Sequence, residues 1–312
     1  MPTLREHIAH ARANHKAIGH FNVSTMDGLW AVADAAQEMQ VPVIVGLSEG
    51  ERDYFGVRQA VAVVRSIRKE RKQSIFLNAD HTYSFERVRQ AIDAGFDSVI
   101  FDGAALALEE NIALTKKCIE YARSAEASLA GEDIENQPAG DGQVLIEGEI
   151  GFIGTSSKVH ENIPEGAAVT LAQMTKPEDA ARFVAETGVD LLAPAVGNIH
   201  GLIRGGDPAL NRGLVKLILE AINIPLVLHG ASGNTAEDIR ACIENGIAIV
   251  HVNTELRLAY RSALVKSLSD DHEEISPYKY LKPAKIAMQK VVEEKLKIFI
   301  GPTSVTQISR GL

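Results

Sequence analysis

The chain has 312 residues, which suits one α/β barrel of about 250 residues with additions, or two ordinary domains. With 32 Lys+Arg against 41 Asp+Glu the formal charge is −9, which excludes a nucleic-acid binder working through bulk positive charge and argues against recruitment to anionic lipid. Two cysteines, Cys118 and Cys242, are too few for a disulfide framework or a Cys-rich zinc site, so any metal must be held by histidine and carboxylate.

Met1-Pro2-Thr3-Leu4-Arg5-Glu6-His7 lacks the apolar core of a signal peptide, and no run of about 18 apolar residues follows, so a cytoplasmic protein is expected. Eight short apolar runs read as buried parallel strands, at roughly 17–21, 42–47, 74–78, 97–101, 144–149, 189–194, 224–229 and 247–252. Between them, residues 26–40 carry Leu29, Val32, Ala33 and Ala36 at helical spacing, and residues 55–70 carry Val57, Ala60, Val61 and Val64. Further helices are expected near 83–94, 105–127, 178–186, 211–222, 235–245 and 254–269. The glycines of Ala94-Gly95-Phe96, Thr187-Gly188-Val189 and Asn245-Gly246-Ile247 suit the left-handed position that ends a helix. Eight such units predict a (β/α)8 TIM barrel forming one domain over residues 1–312, with an additional C-terminal helix at 278–298. A doubly wound open sheet is the alternative, but no GxGxxG follows the first strand. Residues 128–143, rich in Gly, Asp and Glu, are expected to be a surface insertion on the N-terminal face of the barrel. Residues 151–175 follow the fifth strand on the opposite face, where so long a loop is expected to be functional or mobile.

The histidines divide by position. His7, His10, His15, His160 and His272 stand in polar surroundings and are expected to be solvated, and His20 reads as an ordinary interior residue of the first strand. His81, His200, His229 and His251 stand at the ends of the third, sixth, seventh and eighth strand runs. In a parallel barrel those ends open on one face, so residues distant in sequence can converge on a metal ion. Three protein ligands with an open position suit catalytic zinc, and a site of imidazoles and carboxylates also accepts cobalt or manganese. Asp80 precedes His81, Asp102 ends the fourth strand, and Glu147 and Glu149 point the same way on the fifth. Such carboxylates serve as hydrogen-bonded orienters, as acid/base groups or as ligands. The glycine-rich His200-Gly201 and His229-Gly230-Ala231-Ser232-Gly233 segments, and the helix start at Asn253-Thr254, are suited to a phosphate.

Five ordered motifs carry a family resemblance: Asn78-Ala79-Asp80-His81, Ile146-Glu147-Gly148-Glu149-Ile150-Gly151, Gly197-Asn198-Ile199-His200-Gly201, Leu226-Val227-Leu228-His229-Gly230-Ala231-Ser232-Gly233 and Val252-Asn253-Thr254-Glu255-Leu256. In order and spacing, from Gly19-His20-Phe21-Asn22 to the C-terminal helix, the chain resembles the class II, metal-dependent fructose-bisphosphate/tagatose-bisphosphate aldolases. The resemblance implies a TIM barrel, a catalytic zinc, a homodimer or homotetramer, and cleavage of a ketose 1,6-bisphosphate to dihydroxyacetone phosphate and an aldehyde. It implies His81, His200 and His229 as zinc ligands, and Glu149 at an alternative metal position. Asp80 is implied as the acid/base group at the aldehyde end. Gly201, Gly230, Ser232, Asn253 and Thr254 match the dihydroxyacetone phosphate cradle, whose carbonyls often hold a monovalent cation such as K+ or Na+ in the family. Asn22 and Ser48 match polar substrate contacts.

A lysine Schiff base is the other way to stabilise the carbanion, but no lysine ends the sixth strand run; Lys16 lies near the first. Three positions depart from the family pattern. His251 stands where the family usually has an asparagine that contacts the enediolate, and could replace its hydrogen bond, add a metal ligand or blunt the activity. Asn253 stands for an aspartate, and Gly151-Phe152-Ile153-Gly154-Thr155 lacks a glycine pair. The readings that follow are an aldolase for fructose 1,6-bisphosphate first, then for tagatose bisphosphate or another phosphorylated ketose, and last a non-catalytic phosphosugar-binding paralogue.

Overall fold

Alternation of inward and outward side chains along each strand builds a closed barrel in the computed structural model, which describes residues 1–129, 143–155 and 157–301. The strands are β1 Ile18–Asn22, β2 Val43–Leu47, β3 Ile75–Thr82, β4 Ser98–Phe101, β5 Leu145–Ile150, β6 Val159–His160, β7 Leu191–Pro194, β8 Leu202–Ile203, β9 Leu226–Leu228 and β10 Ile247–Val252. Eight of them close in the order β1-β10-β9-β7-β5-β4-β3-β2, and β6 and β8 make a separate pair. All pairings are parallel and helices intervene, so the fold is the expected (β/α)8 TIM barrel, with each of the eight apolar runs in a barrel strand.

The barrel interior is layered. At its base Ile18, Phe76, Leu145 and Ile249 share one buried cluster. Two residues further along the same strands come His20, Asn78, Glu147 and His251, and two beyond those, Asn22, Asp80 and Glu149, all buried. The intervening residues, such as Phe21, Leu77, Ile146 and Val250, face outward into the larger apolar cluster beneath the helices. The period of two thus carries each strand from an apolar floor to a polar mouth.

The floor is sealed by helix Leu4–Ala13, an element absent from the sequence reading. Thr3 and Glu6 cap it reciprocally, Glu6 N–H donating to Thr3 Oγ1 at 3.1 Å and Thr3 N–H to Glu6 Oε2 at 2.7 Å. Leu4, Ile8 and Ala11 then present one stripe to the base cluster. His7 is correspondingly half-buried rather than solvated, its ring edge-on to Phe76 and 3.0 Å from Ser74 Oγ.

The helix expected at 55–70 forms as Val57–Arg71, and a short helix that was not expected, Glu49–Phe55, precedes it. Gly56 separates them at φ 93°, a conformation that a side chain resists. The C-terminal helix is likewise a short turn, Pro277–Tyr280, followed by Lys282–Ile300, which packs across helices Met26–Met39 and Thr254–Asp270. The insertion expected at 128–143 lies almost wholly outside the described residues. Within the 151–175 loop, β6 pairs with β8 in the register Val159↔Leu202 and His160↔Ile203, which ties the loop to the segment after β7. No helix among the described residues is long and apolar enough to cross a membrane.

Candidate metal centre and active site

The site begins at an irregularity in β3. Its pairing with β4 is regular to Ala79↔Val99, breaks, and resumes at Thr82↔Phe101. Within the break His81 adopts φ 36°, so the consecutive residues Asp80 and His81 both contact the barrel mouth instead of alternating. The buried Arg52 guanidinium braces this bulge, donating to Leu47 O at 2.6 Å, Asp80 O at 3.0 Å and Thr82 Oγ1 at 3.0 Å. Arg52 escaped the sequence reading, since nothing in Glu49-Gly50-Glu51-Arg52 marks a charge for burial.

His81, His200 and His229 converge from the ends of β3, the segment after β7 and the end of β9, with ring centroids 4.5, 4.9 and 6.1 Å apart. Each has one nitrogen engaged from behind. Asp102 Oδ2 lies 2.8 Å from His81 Nδ1, Glu147 Oε1 lies 2.7 Å from His229 Nε2, and Gly154 O meets His200 Nδ1. With those oxygens accepting, the free lone pairs are on His81 Nε2, His229 Nδ1 and His200 Nε2. The first two stand 3.2 Å apart, close to the roughly 3.3 Å that separates two tetrahedral ligands at a zinc–nitrogen distance of about 2.05 Å.

Carboxylates surround the imidazoles. Glu149 Oε2 is 3.5 Å from His81 Nδ1 and 3.8 Å from His229 Nδ1, and is buried without a hydrogen-bond partner. Asp80 Oδ2 accepts from Asn22 Nδ2 at 2.8 Å, while Asp80 Oδ1 has no hydrogen-bond partner. Burial drives the pKa values down to about 4 for His200 and well below the usual range for His229, which keeps both rings neutral. Burial also works against a charged His81, but Asp80, Asp102 and Glu149 outweigh it and raise that ring well above 6.5. Burial favours the neutral form of Asp80 too, yet the His81 charge and the contact with His251 hold it well below the carboxylate range. Burial pushes Glu147 and Glu149 up. Three converging lone pairs and two orphaned carboxylate oxygens fit a divalent cation, which would take the place of the His81 proton.

His251 lies beside this cluster, its ring parallel to His229 at 4.0 Å and to His20 on the other face at 3.4 Å. Its Nδ1 is 3.5 Å from Asp80 Oδ1, longer than a good hydrogen bond, and burial pushes its pKa down to about 3.

Across the mouth, Gly230 adopts φ 61°, and a Cβ there would come within 2.0 Å of Ile199 O. Asn198 links the same segments, its Nδ2 donating to His229 O at 3.0 Å. Gly201 is crowded by His160 and Lys158 O, either of which a Cβ would meet at 2.5 Å. Ser232 is buried beside Asn253, whose N–H reaches Ser232 Oγ at 3.4 Å, and Thr254 opens helix Thr254–Asp270. That helix start and the glycine segments present backbone N–H groups suited to an anion.

Asn22, Asp80, His81, His200, His229 and His251 line one cavity with Gly201, Gly230, Ser232, Asn253 and Thr254. A larger cleft of about 490 Å³ opens at the other end of the barrel, beside helix Leu4–Ala13, but it lacks such a constellation. Glu149 adjoins the cavity through His81. Ser48 does not line it: its N–H and hydroxyl both donate to Glu51 Oε2 at 2.9 Å, and Glu51 in turn accepts from Asn22 and Arg257. Glu51, Arg257 and Ser157, a further lining residue, were not anticipated.

Comparison with known proteins follows the same lines. The family model described as fructose-bisphosphate aldolase class-II matches residues 2–133 and 137–301. A fructose-bisphosphate aldolase of Staphylococcus aureus is 33% identical over 300 residues, covering 95% of this chain and 96% of its own. A 6-phospho-5-dehydro-2-deoxy-D-gluconate aldolase of Bacillus licheniformis is also 33% identical over 300 residues, covering 95% of this chain and 94% of its own. Among solved structures, the YdjI aldolase of Escherichia coli K12 superimposes with a TM-score of 0.74 at 28% identity, covering 96% of each chain.

Proposed function

Because the chain belongs to the class II fructose-bisphosphate aldolase family, we propose that it reversibly cleaves a ketose 1,6-bisphosphate, fructose 1,6-bisphosphate first, to dihydroxyacetone phosphate and glyceraldehyde 3-phosphate. The observation that carries this reading is the convergence of His81 Nε2, His200 Nε2 and His229 Nδ1, each with its other nitrogen engaged from behind. These residues would hold Zn2+, or Co2+ or Mn2+, with Glu149 as an alternative ligand. Bound there, the ion supplies Lewis-acid stabilisation of the charge that develops beside the ketone when the carbon–carbon bond breaks.

The chain's own groups do the rest. Asp80, held through Oδ2 by Asn22, keeps Oδ1 for the hydroxyl proton at the aldehyde-side carbon. Gly201, Gly230, Ser232, Asn253 and Thr254 surround the phosphate of the three-carbon donor, and the carbonyls of that cradle are suited to K+ or Na+. His251 faces the reacting groups beside Asp80. Asn22 touches the substrate from the cavity wall, and Ser48 acts on it through Glu51 and Asn22.

A second reading changes the substrate to tagatose bisphosphate or another phosphorylated ketose. His251 in the cavity wall and the Bacillus licheniformis relative favour keeping it open. A non-catalytic phosphosugar-binding role fits less well, because Asp80, with one oxygen unpaired, lines the same cavity as the imidazole cluster. The chain is further proposed to be one aldolase domain, cytoplasmic, acting as a homodimer or homotetramer. Purified protein assayed on the two epimeric bisphosphates, before and after chelation, tests the reading. Cleavage lost with EDTA and restored by zinc or cobalt supports it; cleavage that survives thorough chelation overturns it.

A further inference from the structure

His20 is buried in the β1 layer and does not line the substrate cavity, yet four features are built around it. Asn78 Nδ2 donates to Ser98 Oγ at 2.8 Å, which turns Asn78 Oδ1 toward His20 Nε2 at 3.0 Å. An amide oxygen only accepts, so the neutral ring carries its proton on Nε2 and its rotation is fixed. Residue 46 is glycine, and a Cβ there would lie 2.1 Å from His20 Cε1, so the neighbouring strand leaves the ring its space. The ring lies flush on His251, with centroids 3.4 Å apart and planes within 6°. His229, fixed by Glu147 at 2.7 Å, covers the opposite face of His251 at 4.0 Å and 19°. His251 is therefore clamped in one plane, in which Nδ1 faces Asp80 Oδ1 at 3.5 Å.

We propose that His20 is a positioning residue, which holds His251 in the plane that presents Nδ1 to Asp80 and so sets the imidazole that meets the substrate at the end of β10. A residue that only filled the barrel would be served better by an apolar ring, because His20 Nδ1 is buried without a partner. A cation shared by His20, Asp80 and His251 fits poorly. Parallel rings 3.4 Å apart direct their lone pairs in separate planes, and no ion at about 2.0 Å from each nitrogen lies in both.

The proposal rests on the aldolase reading, and its test separates the two. His20→Ala is expected to lower kcat about 10–100-fold, the scale of a small misplacement at a reacting centre, with KM changed by less than about threefold and zinc content unchanged. His20→Phe, which keeps a ring against His251, is expected to recover part of that loss. In a His251→Asn background His20→Ala should change kcat by less than about twofold, since coupled residues are not additive. Additive losses, or kcat and zinc content falling together in both variants, overturn the proposal. If His20→Ala fails to fold, His20→Gln is read by 15N NMR of the zinc-loaded protein without substrate, His251 being identified by its loss in His251→Asn. A single His251 tautomer in the parent and a mixed or broadened one in His20→Gln is expected, and an unchanged His251 spectrum overturns the proposal. An altered spectrum in a protein that turns over none of the substrates supports the positioning role and counts against the aldolase reading alone.

Discussion

Asp102 offers the sharpest test of how the metal centre is held. It touches His81 only at Nδ1, 2.8 Å from Oδ2, while its Oδ1 accepts from Ala104 N–H at 3.2 Å. Asp102→Ala takes the close acceptor from a nearly buried imidazole N–H and leaves only Glu149 Oε2 at 3.5 Å, which costs about 1–3 kcal/mol. Since each 1.4 kcal/mol is about tenfold, the zinc Kd should rise about 5- to 150-fold. Removing an orienting carboxylate behind a metal-bound histidine typically weakens affinity by about 10–100-fold, which agrees. Asp102→Asn should fall between variant and parent, because one amide oxygen can serve His81 or Ala104 but not both and carries no charge. Competition with a chromogenic chelator at fixed pH measures each Kd. A folded Asp102→Ala protein that binds zinc as tightly as the parent would refute the assignment of His81 Nε2 as the inward-facing ligand.

Three further outcomes follow from other parts of the molecule. Asp80→Asn should retain zinc yet lose about 10²–10⁴-fold in kcat, read by steady-state cleavage alongside metal analysis; parental turnover would remove Asp80 from the acid/base role. The raised His81 pKa means that metal displaces a proton, so zinc affinity should climb with pH throughout the range below the folded-state pKa of His81 and level off above it; a flat titration across that range would contradict it. In the metal-free protein the sign is opposite, because a raised pKa favours folding below about 6.5 and that contribution fades as pH rises through the folded value. Ile8→Ala, at the base plug, should cost about 2–4 kcal/mol in denaturant unfolding with KM unaltered, and a changed KM would show that the two ends of the barrel are coupled.

Legibility of the fold followed the physics of burial. The eight barrel strands were readable because each is packed on both faces and so appears as an apolar run. β3 runs on to Thr82, past the end of its apolar run at residue 78, where Asn78-Ala79-Asp80-His81 looks polar and the bulge at His81 abandons the period of two. Helix Glu49–Phe55 has no apolar stripe at all, since its buried residues are Glu51 and Arg52. Helix Leu4–Ala13 does carry a local signal, the Thr3/Glu6 cap ahead of Leu4, Ile8 and Ala11.

The candidate site divides in the same way. Histidines at strand ends were legible because a parallel barrel gathers those ends whatever their spacing in the chain. The charge of Arg52 and the packing of His20 on His251 have no local sequence signature, because their partners lie on other strands, whereas Glu51 stands three residues after Ser48, the spacing of a capping box. Ser48, matched to a substrate contact, is instead one step removed behind Glu51.

The account stands most directly on where a divalent ion binds. Diffraction from zinc-loaded crystals at the zinc absorption edge should place one anomalous peak about 2.0–2.1 Å from His81 Nε2, His200 Nε2 and His229 Nδ1. A peak bound through His229 Nε2, or one lying away from these three rings, would contradict it.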